Sequence, residues 1–195
     1  MRLDRLSADL GGGARIRPVE DADVAELFRL VDRNRAHLRA WLPWLDATRT
    51  ESDLRAWATA ERAKAEAGRS VQFVIVDAGR LAGVVGYHEI DREHGQVDLG
   101  YWLAEERQGR GLVTRAVAEL VRIAFEELGL NRVGIRTATE NARSRAIPER
   151  LGFRHEGVIR EGERLYDRFV DLDAFALLAL EWRSRERLRP HPRLR

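Results

Sequence analysis

One stretch decides the fold: Asp98-Leu99-Gly100-Tyr101-Trp102-Leu103-Ala104-Glu105-Glu106-Arg107-Gln108-Gly109-Arg110-Gly111-Leu112-Val113-Thr114. It predicts a strand, a short acidic link, a turn with two glycines, and the first turn of a long helix. Gly109 and Gly111 carry no Cβ, so the backbone there lets a ligand approach closely. The unpaired N–H groups and the positive dipole end of the following helix favour a phosphate. Arg110 adds a guanidinium donor suited to phosphate oxygens, so this turn is a candidate anion site.

The composition indicates one globular domain with a substantial core. The chain has 195 residues, of which 44% are hydrophobic, and a formal net charge of only +2. The absence of cysteine excludes disulfides, thiolate metal ligands and a cysteine nucleophile, and no metal is expected. No apolar run is long enough for a signal peptide or a membrane span, which predicts a cytoplasmic protein without a membrane partner. The charges balance along the chain and no recognition motif appears, so no nucleic-acid partner is expected.

Hydrophobic periodicity predicts a mixed α/β domain over residues 14–182. Residues 1–13, which include Gly11-Gly12-Gly13, read as a flexible arm, and residues 183–195 form a basic tail. Helices are predicted over residues 24–40, 50–67, 112–128 and 141–151, and strands over residues 15–19, 71–76, 81–90, 96–104, 131–137, 153–159 and 169–182. The sheet is expected to be mostly antiparallel, with a helical crossover before the strand at residue 131.

Four motifs occur together in this order: Gly100-Tyr101-Trp102-Leu103, Gln108-Gly109-Arg110-Gly111-Leu112, Asn141-Ala142-Arg143-Ser144 and Leu151-Gly152-Phe153. In this combination the chain resembles the GCN5-related N-acetyltransferase (GNAT) family. It is most similar to the branch that acetylates the N-terminal serine or alanine of ribosomal proteins. The resemblance covers about residues 14–182 and implies a mixed, mostly antiparallel sheet that is splayed at the cofactor site and flanked by helices.

The resemblance implies acetyl-CoA as the co-substrate. The family pattern Gln-x-x-Gly-x-(Gly or Ala) falls on Gln108, Gly111 and Val113, and Val113 departs from the small last residue. The residues implied to bind the cofactor are Trp102, Leu103 and Ala104 along the pantetheine arm, Gln108, Gly109, Arg110, Gly111, Leu112, Val113 and Thr114 at the pyrophosphate, and Asn141 and Ser144. Helix capping is the alternative for Asn141 and Ser144, because both residue types are favoured at helix N-termini.

For catalysis, the resemblance implies direct attack of an amine on the thioester. Ser144 matches the serine that protonates the leaving thiolate, and Tyr166 is a secondary acid candidate. Asp98 is the candidate base: it lies two residues before Gly100, where relatives carry glutamate, and its alternative is an ion pair with an arginine. His88 and Glu89 are rival bases. A backbone N–H near Leu103 is expected to hold the carbonyl oxygen in the transition state.

The acceptor is predicted to be a primary amine, above all the N-terminal amine of a ribosomal protein. Trp41-Leu42-Pro43-Trp44-Leu45 forms either a hydrophobic plug between helices or one wall of a substrate pocket. Trp41, Trp44 and His88 are therefore candidate substrate-binding residues. A small amine such as a polyamine, drug or amino acid is an alternative acceptor, and a non-catalytic ribosome- or nucleic-acid-binding module is a second alternative. A homodimer is expected from the resemblance.

Overall fold

A computed structural model describes residue 3 and residues 6–188 of the chain. The strands are β1 (Ala8–Gly11), β2 (Ala14–Pro18), β3 (Val71–Asp77), β4 (Arg80–Asp91), β5 (Gln96–Leu103), β6 (Arg132–Ala138), β7 (Arg154–Leu165) and β8 (Arg168–Leu178). The helices are α1 (Val24–Arg33), α2 (Arg35–Arg39), α3 (Glu51–Glu66), α4 (Leu112–Arg122), α5 (Ala142–Leu151) and α6 (Ala179–Leu188). Together they form the predicted α/β fold.

All the strands belong to one eight-stranded sheet, ordered β1-β2-β3-β4-β5-β6-β8-β7. Within the described residues β5 and β6 are the parallel neighbours, joined by the α4 crossover, and the other pairs are antiparallel. Residues 96–99 of β5 align with residues 132–135 of β6. Beyond this short pairing β5 continues to Leu103 and β6 to Ala138 as separate strands. The sheet is therefore splayed between β5 and β6, as expected.

Two hydrophobic clusters cover the two faces of this sheet. On one face α4 packs through Val117 and Leu120 against Tyr87, Leu99 and neighbouring strand residues. On the opposite face α1 and α3 pack against β3 and β4, in a cluster that also contacts Trp102. Successive side chains of β5 point to opposite faces of the sheet and therefore join the two clusters alternately. We call these the α4 face and the α3 face.

The prediction of a flexible arm over residues 1–13 was wrong for its second half. Residues 8–11 form β1, which pairs antiparallel with β2. Gly11, Gly12 and Gly13 have φ values of 75°, 64° and 78°, so the glycine run makes the tight turn of a hairpin. Leu10 is buried in the core beneath it. A glycine run has the same composition in a turn as in a mobile segment, which is why composition misled here.

The C-terminal strand ends earlier than predicted, and part of the predicted tail is helical. β8 stops at Leu178 and α6 follows over Ala179–Leu188. The backbone N–H of Leu178 donates to the Glu181 carboxylate at 3.0 Å, which caps the new helix, and Ala, Leu and Glu are strong helix formers. Of the predicted tail, residues 189–195 lie outside the described residues.

Two further boundaries differ from prediction. The helix predicted over residues 112–128 is α-helical to Arg122 and continues as a π-helical turn over Ile123–Glu127. β7 runs to Leu165, beyond the predicted end at residue 159. The prediction stopped short because bulges near Glu156 and residues 160–162 interrupt the alternation of side chains along the strand. None of the helices within the described residues has the length and apolar character needed to cross a membrane.

Candidate active site

A cavity of about 1490 Å³ passes through the sheet where β5 and β6 separate. Asp98, Gly100 and Trp102 reach it from the α3 face of β5, and Tyr101 and Leu103 reach it from the α4 face. The separation opens both faces of the sheet to one continuous space. Two ligands can therefore meet inside it while lying on opposite sides of the sheet.

The glycine turn and the start of α4 form the α4-face wall of this cavity. Gly109 and Gly111 have φ values of 74° and 70°, a left-handed conformation that favours glycine. A Cβ added at Gly109 would meet no atom within 4 Å, so open space adjoins the backbone there. Gly111 is the N-cap of α4 and supplies no side-chain cap, which leaves the first N–H groups of the helix available to an anion. We call residues 108–114 the anion cradle.

Arginines from two helices add positive charge at the cradle. Arg115, Arg143 and Arg150 all line the cavity. Arg115 donates to the backbone oxygen of Arg110 at 3.0 Å, and Arg150 donates to Thr114 Oγ1 at 3.2 Å. Sequence reasoning missed this role for them, because arginines are numerous along the whole chain and α5 is distant from the cradle in sequence.

Arg110 has a different role from the predicted phosphate donor, and it is not among the residues that line the cavity. Its guanidinium donates to Asp77 Oδ2 at 2.6 Å, and Arg107 donates to the same oxygen at 3.0 Å. Asp77 is only 4% exposed at the end of β3. The two arginines therefore hold the cradle on the sheet, because a buried carboxylate strongly favours paired guanidinium groups.

The edge of β5 that faces β6 presents free backbone groups to the cavity. Ala104 N–H donates to Ala82 O of β4 at 2.8 Å, so Ala104 points away from the gap. Alternation then directs the N–H and C=O groups of Tyr101 and Leu103 toward the separated β6. Ala104 is also fully buried and does not line the cavity, which corrects its prediction as a cofactor contact. Trp102 and Leu103 do line the cavity.

Ser144 forms a hydroxyl pair with Tyr101 on the α4 face. Ser144 Oγ donates to Tyr101 Oη at 3.3 Å, and Tyr101 Oη donates to the Ser144 carbonyl at 3.1 Å. Burial raises the pKa of Tyr101 above its usual value, so the phenol remains protonated. The Asn141 side chain accepts a hydrogen bond from the Ser144 N–H at 3.1 Å and thus caps α5. The capping alternative for Asn141 therefore occurs. Sequence reasoning missed Tyr101, whose motif position gave no role for its hydroxyl.

Gln108 links three parts of the site. Its Nε2 lies 2.8 Å from His37 Nε2 on α2, and its Oε1 accepts a hydrogen bond from Arg143 on α5. The glutamine thus connects the anion cradle to the helices on either side of the cavity mouth. Its orientation follows from these two partners, since an arginine can only donate and must face the amide oxygen.

On the α3 face, carboxylates line the acceptor side of the cavity. Asp98 forms an ion pair with Arg136 of β6, with 2.9 Å between Oδ2 and Nη2, so the ion-pair alternative for this residue occurs. Glu163 of β7 is half-buried, and its carboxylate has no hydrogen-bond or ion-pair partner among the described residues. Burial raises the pKa of the Glu163 carboxyl. Sequence reasoning missed Glu163, because the β7 bulge disrupts the alternation that would have assigned its face.

The remaining predicted residues also border this face. His88 lies over Gly100, where a Cβ would come within 2.5 Å of His88 Nε2. Trp41 and Trp44 line the cavity from the loop after α2. Tyr166, the secondary acid candidate, donates its hydroxyl to the Leu42 carbonyl at 2.6 Å and is not among the lining residues. Tyr166 therefore holds the loop and does not reach the chemistry.

Comparisons with known proteins agree with this arrangement. The family model of the Acetyltransferase (GNAT) domain matches residues 14–154. YdaF of Bacillus subtilis (strain 168), a ribosomal N-acetyltransferase by name, is 36% identical over 172 residues, 86% of this chain and 92% of YdaF. The ribosomal-protein-serine acetyltransferase of Escherichia coli (strain K12) is 27% identical over 158 residues, 81% of this chain and 88% of that protein.

Among solved structures, RimL is described as a ribosomal L7/L12 alpha-N-protein acetyltransferase in complex with coenzyme A. It superposes with a TM-score of 0.86 at 22% identity, over 89% of this chain and 98% of RimL. At that identity the likeness supports the fold. The domain match spans well over half of the chain, so the resemblance to the family is confirmed. The protein belongs to the GNAT acetyltransferase family and is an N-acetyltransferase.

Proposed function

We propose that this N-acetyltransferase transfers the acetyl group of acetyl-CoA to the N-terminal amine of a protein. One observation carries the proposal: the cavity crosses the sheet, with an anion cradle and a hydroxyl pair on the α4 face and an unpaired carboxylate on the α3 face. Relatives named for ribosomal proteins support the acceptor class. We further propose that residues 14–182 are the single domain that carries the activity.

The residues of the α4 face fit acetyl-CoA. The open backbone of the anion cradle and the N-terminus of α4 suit the pyrophosphate, and Arg115, Arg143 and Arg150 supply positive charge beside it. The free edge of β5 at Tyr101 and Leu103 suits an extended chain carrying amide groups, which would add to the sheet as a further strand. When bound, the co-substrate supplies an acyl group on a thiolate leaving group.

Glu163 is the residue that we propose to take the proton of the acceptor amine. An α-amine has a pKa of about 8 and is mostly protonated at neutral pH, so a base must accept a proton before or during attack. Within the part of the chain that the structure describes, no cation pairs with Glu163, and its raised pKa makes it a better proton acceptor than an ordinary carboxylate. Asp98, the second candidate, is already neutralised by Arg136.

Ser144 is the proposed proton donor to the departing sulfur. Its hydroxyl is fixed by the Tyr101 phenol, and the Asn141 cap fixes the backbone that carries it. Tyr101 is a positioning residue in this proposal, because its raised pKa keeps a proton on the phenol oxygen. The Leu103 N–H, on the free edge of β5, is suited to hold the carbonyl oxygen of the acyl group.

The proposal is tested by following release of coenzyme A from acetyl-CoA in the presence of candidate acceptors. N-terminal peptides of ribosomal proteins, the same peptides with a blocked α-amine, and a panel of small amines are compared. We expect turnover with free N-termini and none with blocked N-termini, and mass spectrometry should locate the acetyl group on the α-nitrogen. Turnover confined to small amines would contradict the proposed acceptor.

A further inference from the structure

Four tryptophans line the α3 side of the cavity, although they come from three different parts of the chain. Trp41 and Trp44 lie in the loop after α2, Trp57 lies on α3, and Trp102 lies on β5. The rings of Trp44 and Trp102 are 6.3 Å apart and tilted by 53°. Each of the four is partly exposed, and the surface between them is open to a ligand. We call this set the aromatic vestibule.

The indole nitrogens of the vestibule are unused hydrogen-bond donors. Within the described residues none of the four indole N–H groups makes a hydrogen bond, and none is among the buried polar atoms without a partner. Trp182, outside the cavity, does donate its indole N–H, to Glu126 at 3.2 Å. An indole nitrogen can only donate, so the vestibule offers hydrogen bonds to acceptor atoms such as peptide carbonyls.

The carboxylates on the α3 side of the cavity suit an acceptor with one positive charge. Asp98 is paired with Arg136, and Glu61 is bound by Lys64 at 2.7 Å and by the Ser70 hydroxyl at 3.1 Å. Within the described residues Glu163 is the half-buried carboxylate of the cavity without a partner, and the carboxylate of Glu105, which also lines the cavity, is exposed and unpaired. A polyamine carries several ammonium groups, which are donors without acceptors, and would meet one half-buried free carboxylate among four indole donors. A peptide N-terminus carries one ammonium and a series of carbonyl acceptors.

We infer that the acceptor is a peptide whose first residue has a large apolar side chain, which the aromatic vestibule binds while Glu163 faces its amine. The inference rests on the proposed function and adds the identity of the first residue. Trp41 packs with Leu172 and Ala138, and these three residues line the same cavity as Glu163. Indole N–H groups can bind the first carbonyls of the peptide.

The size of the effect follows from apolar burial. Each methylene placed in a hydrophobic pocket changes kcat/KM by about 10- to 200-fold at most, and a leucine exceeds an alanine by three carbons. We expect peptides that begin with Leu, Met or Phe to exceed matched peptides that begin with Ser or Ala by at least about tenfold in kcat/KM. Spermidine should be a poorer acceptor than either peptide class.

The experiment measures kcat/KM of the full chain for hexapeptides that differ only at the first residue, with spermidine in parallel. Trp44→Ala should reduce the preference for Leu over Ser, and Trp44→Phe, which keeps the ring, should retain most of it. Trp182→Ala makes the same chemical change outside the cavity and should leave the preference unchanged. The KM for acetyl-CoA serves as a folding control in each variant.

The outcomes separate the inference from the proposed function. A preference for apolar first residues that falls in Trp44→Ala but not in Trp182→Ala supports the inference. The inference is overturned if kcat/KM for the Ser and Ala peptides equals or exceeds that for the Leu peptide, or if spermidine has the highest kcat/KM. In either case the protein still transfers an acetyl group, so the proposed enzyme class stands. Because that comparison is made within the wild-type protein, a variant that fails to fold does not affect it. Failure to acetylate any amine would overturn the proposed function itself.

Discussion

At the residue scale, the hydroxyl groups of Ser144 and Tyr101 form a pair on the α4 face. Tyr101 fixes Ser144 from β5, so the proposed proton donor is held by both the sheet and α5. We predict that Ser144→Ala lowers kcat about a hundredfold, the lower range for loss of a general acid, with little change in the KM for acetyl-CoA. Tyr101→Phe should lower kcat less and leave KM unchanged. Steady-state kinetics at saturating acceptor measures both, and an unchanged kcat in Ser144→Ala would exclude the serine.

The pH dependence of kcat in two variants distinguishes the candidate bases Glu163 and Asp98. Glu163 accepts a proton only when ionised, so kcat should fall as the pH drops through its raised pKa, higher than for an ordinary glutamate. Glu163→Gln should remove this decline and lower kcat about a hundredfold. Asp98→Asn should retain the decline. If Asp98→Asn removes it and Glu163→Gln does not, the assignments are reversed.

The same burial predicts the effect of Glu163 on stability. A carboxyl whose folded pKa is raised stabilises the fold below its unfolded pKa, and that stability is lost as the pH rises through the folded pKa. At pH 7 the ionised side chain therefore opposes folding. Glu163→Gln should raise the midpoint of urea denaturation at pH 7 and have no such effect near pH 4.

Sequence motifs identified several residues that the fold brings together. Ser144, Gln108 and the two glycines of the turn all line one cavity, and the roles that the family resemblance implies for them stay predictions. Glu163 could not be found in this way, because its face depends on a bulge in β7. Arg110 was misassigned for a related reason: its partner Asp77 lies at the end of a distant strand, a contact that only the tertiary fold creates.

At the scale of elements, the position of the anion cradle depends on β3. Asp77 holds both Arg107 and Arg110, so the cradle is attached to the sheet through one buried carboxylate. We predict that Asp77→Asn raises the KM for acetyl-CoA severalfold while kcat changes little. It should also lower the free energy of unfolding by about 2 kcal/mol, the scale of a hydrogen bond to a charged group.

Asp32→Asn is the matched control for this change. Asp32 forms an exposed ion pair with Arg35 at 3.3 Å, away from the cavity, and such surface pairs contribute less than about 1 kcal/mol. Kinetics and urea denaturation of both variants are compared. A KM in Asp77→Asn equal to that of the control would show that the cradle does not need this anchor.

Most elements could be predicted because their signals are local. The apolar spacing of α1, the Thr50–Asp53 capping box of α3 and the alternating strands of the meander all encode their own structure. The β1 hairpin and the change from β8 to α6 could not, since glycine runs and alternating apolar residues are compatible with more than one conformation. Residues 8–11 form a strand because they pair with β2, and the strand β8 gives way to α6 where its pairing with β6 ends at Leu178.

At the scale of the whole molecule, Tyr166 connects the β7–β8 hairpin to the loop that carries Trp41 and Trp44. Its φ of 59° is unusual for a bulky residue and is sustained by two contacts: its hydroxyl binds the Leu42 carbonyl, and the Arg39 guanidinium lies 3.8 Å from its ring centroid. We predict that Tyr166→Phe lowers the free energy of unfolding by about 1 kcal/mol. Amide hydrogen exchange should accelerate in residues 41–48, while exchange in α4 should not change.

The splay between β5 and β6 also has a consequence for how such proteins diversify. In the proposed function each ligand enters from its own side of the sheet, so substitutions in α3, in the loop after α2 or in β7 can alter acceptor choice without disturbing the cradle of β5 and α4. The cradle side can remain constant while the opposite side varies. A protein built in this way can exchange one amine for another through a few surface-loop substitutions, and its capacity to handle the acyl donor is inherited intact.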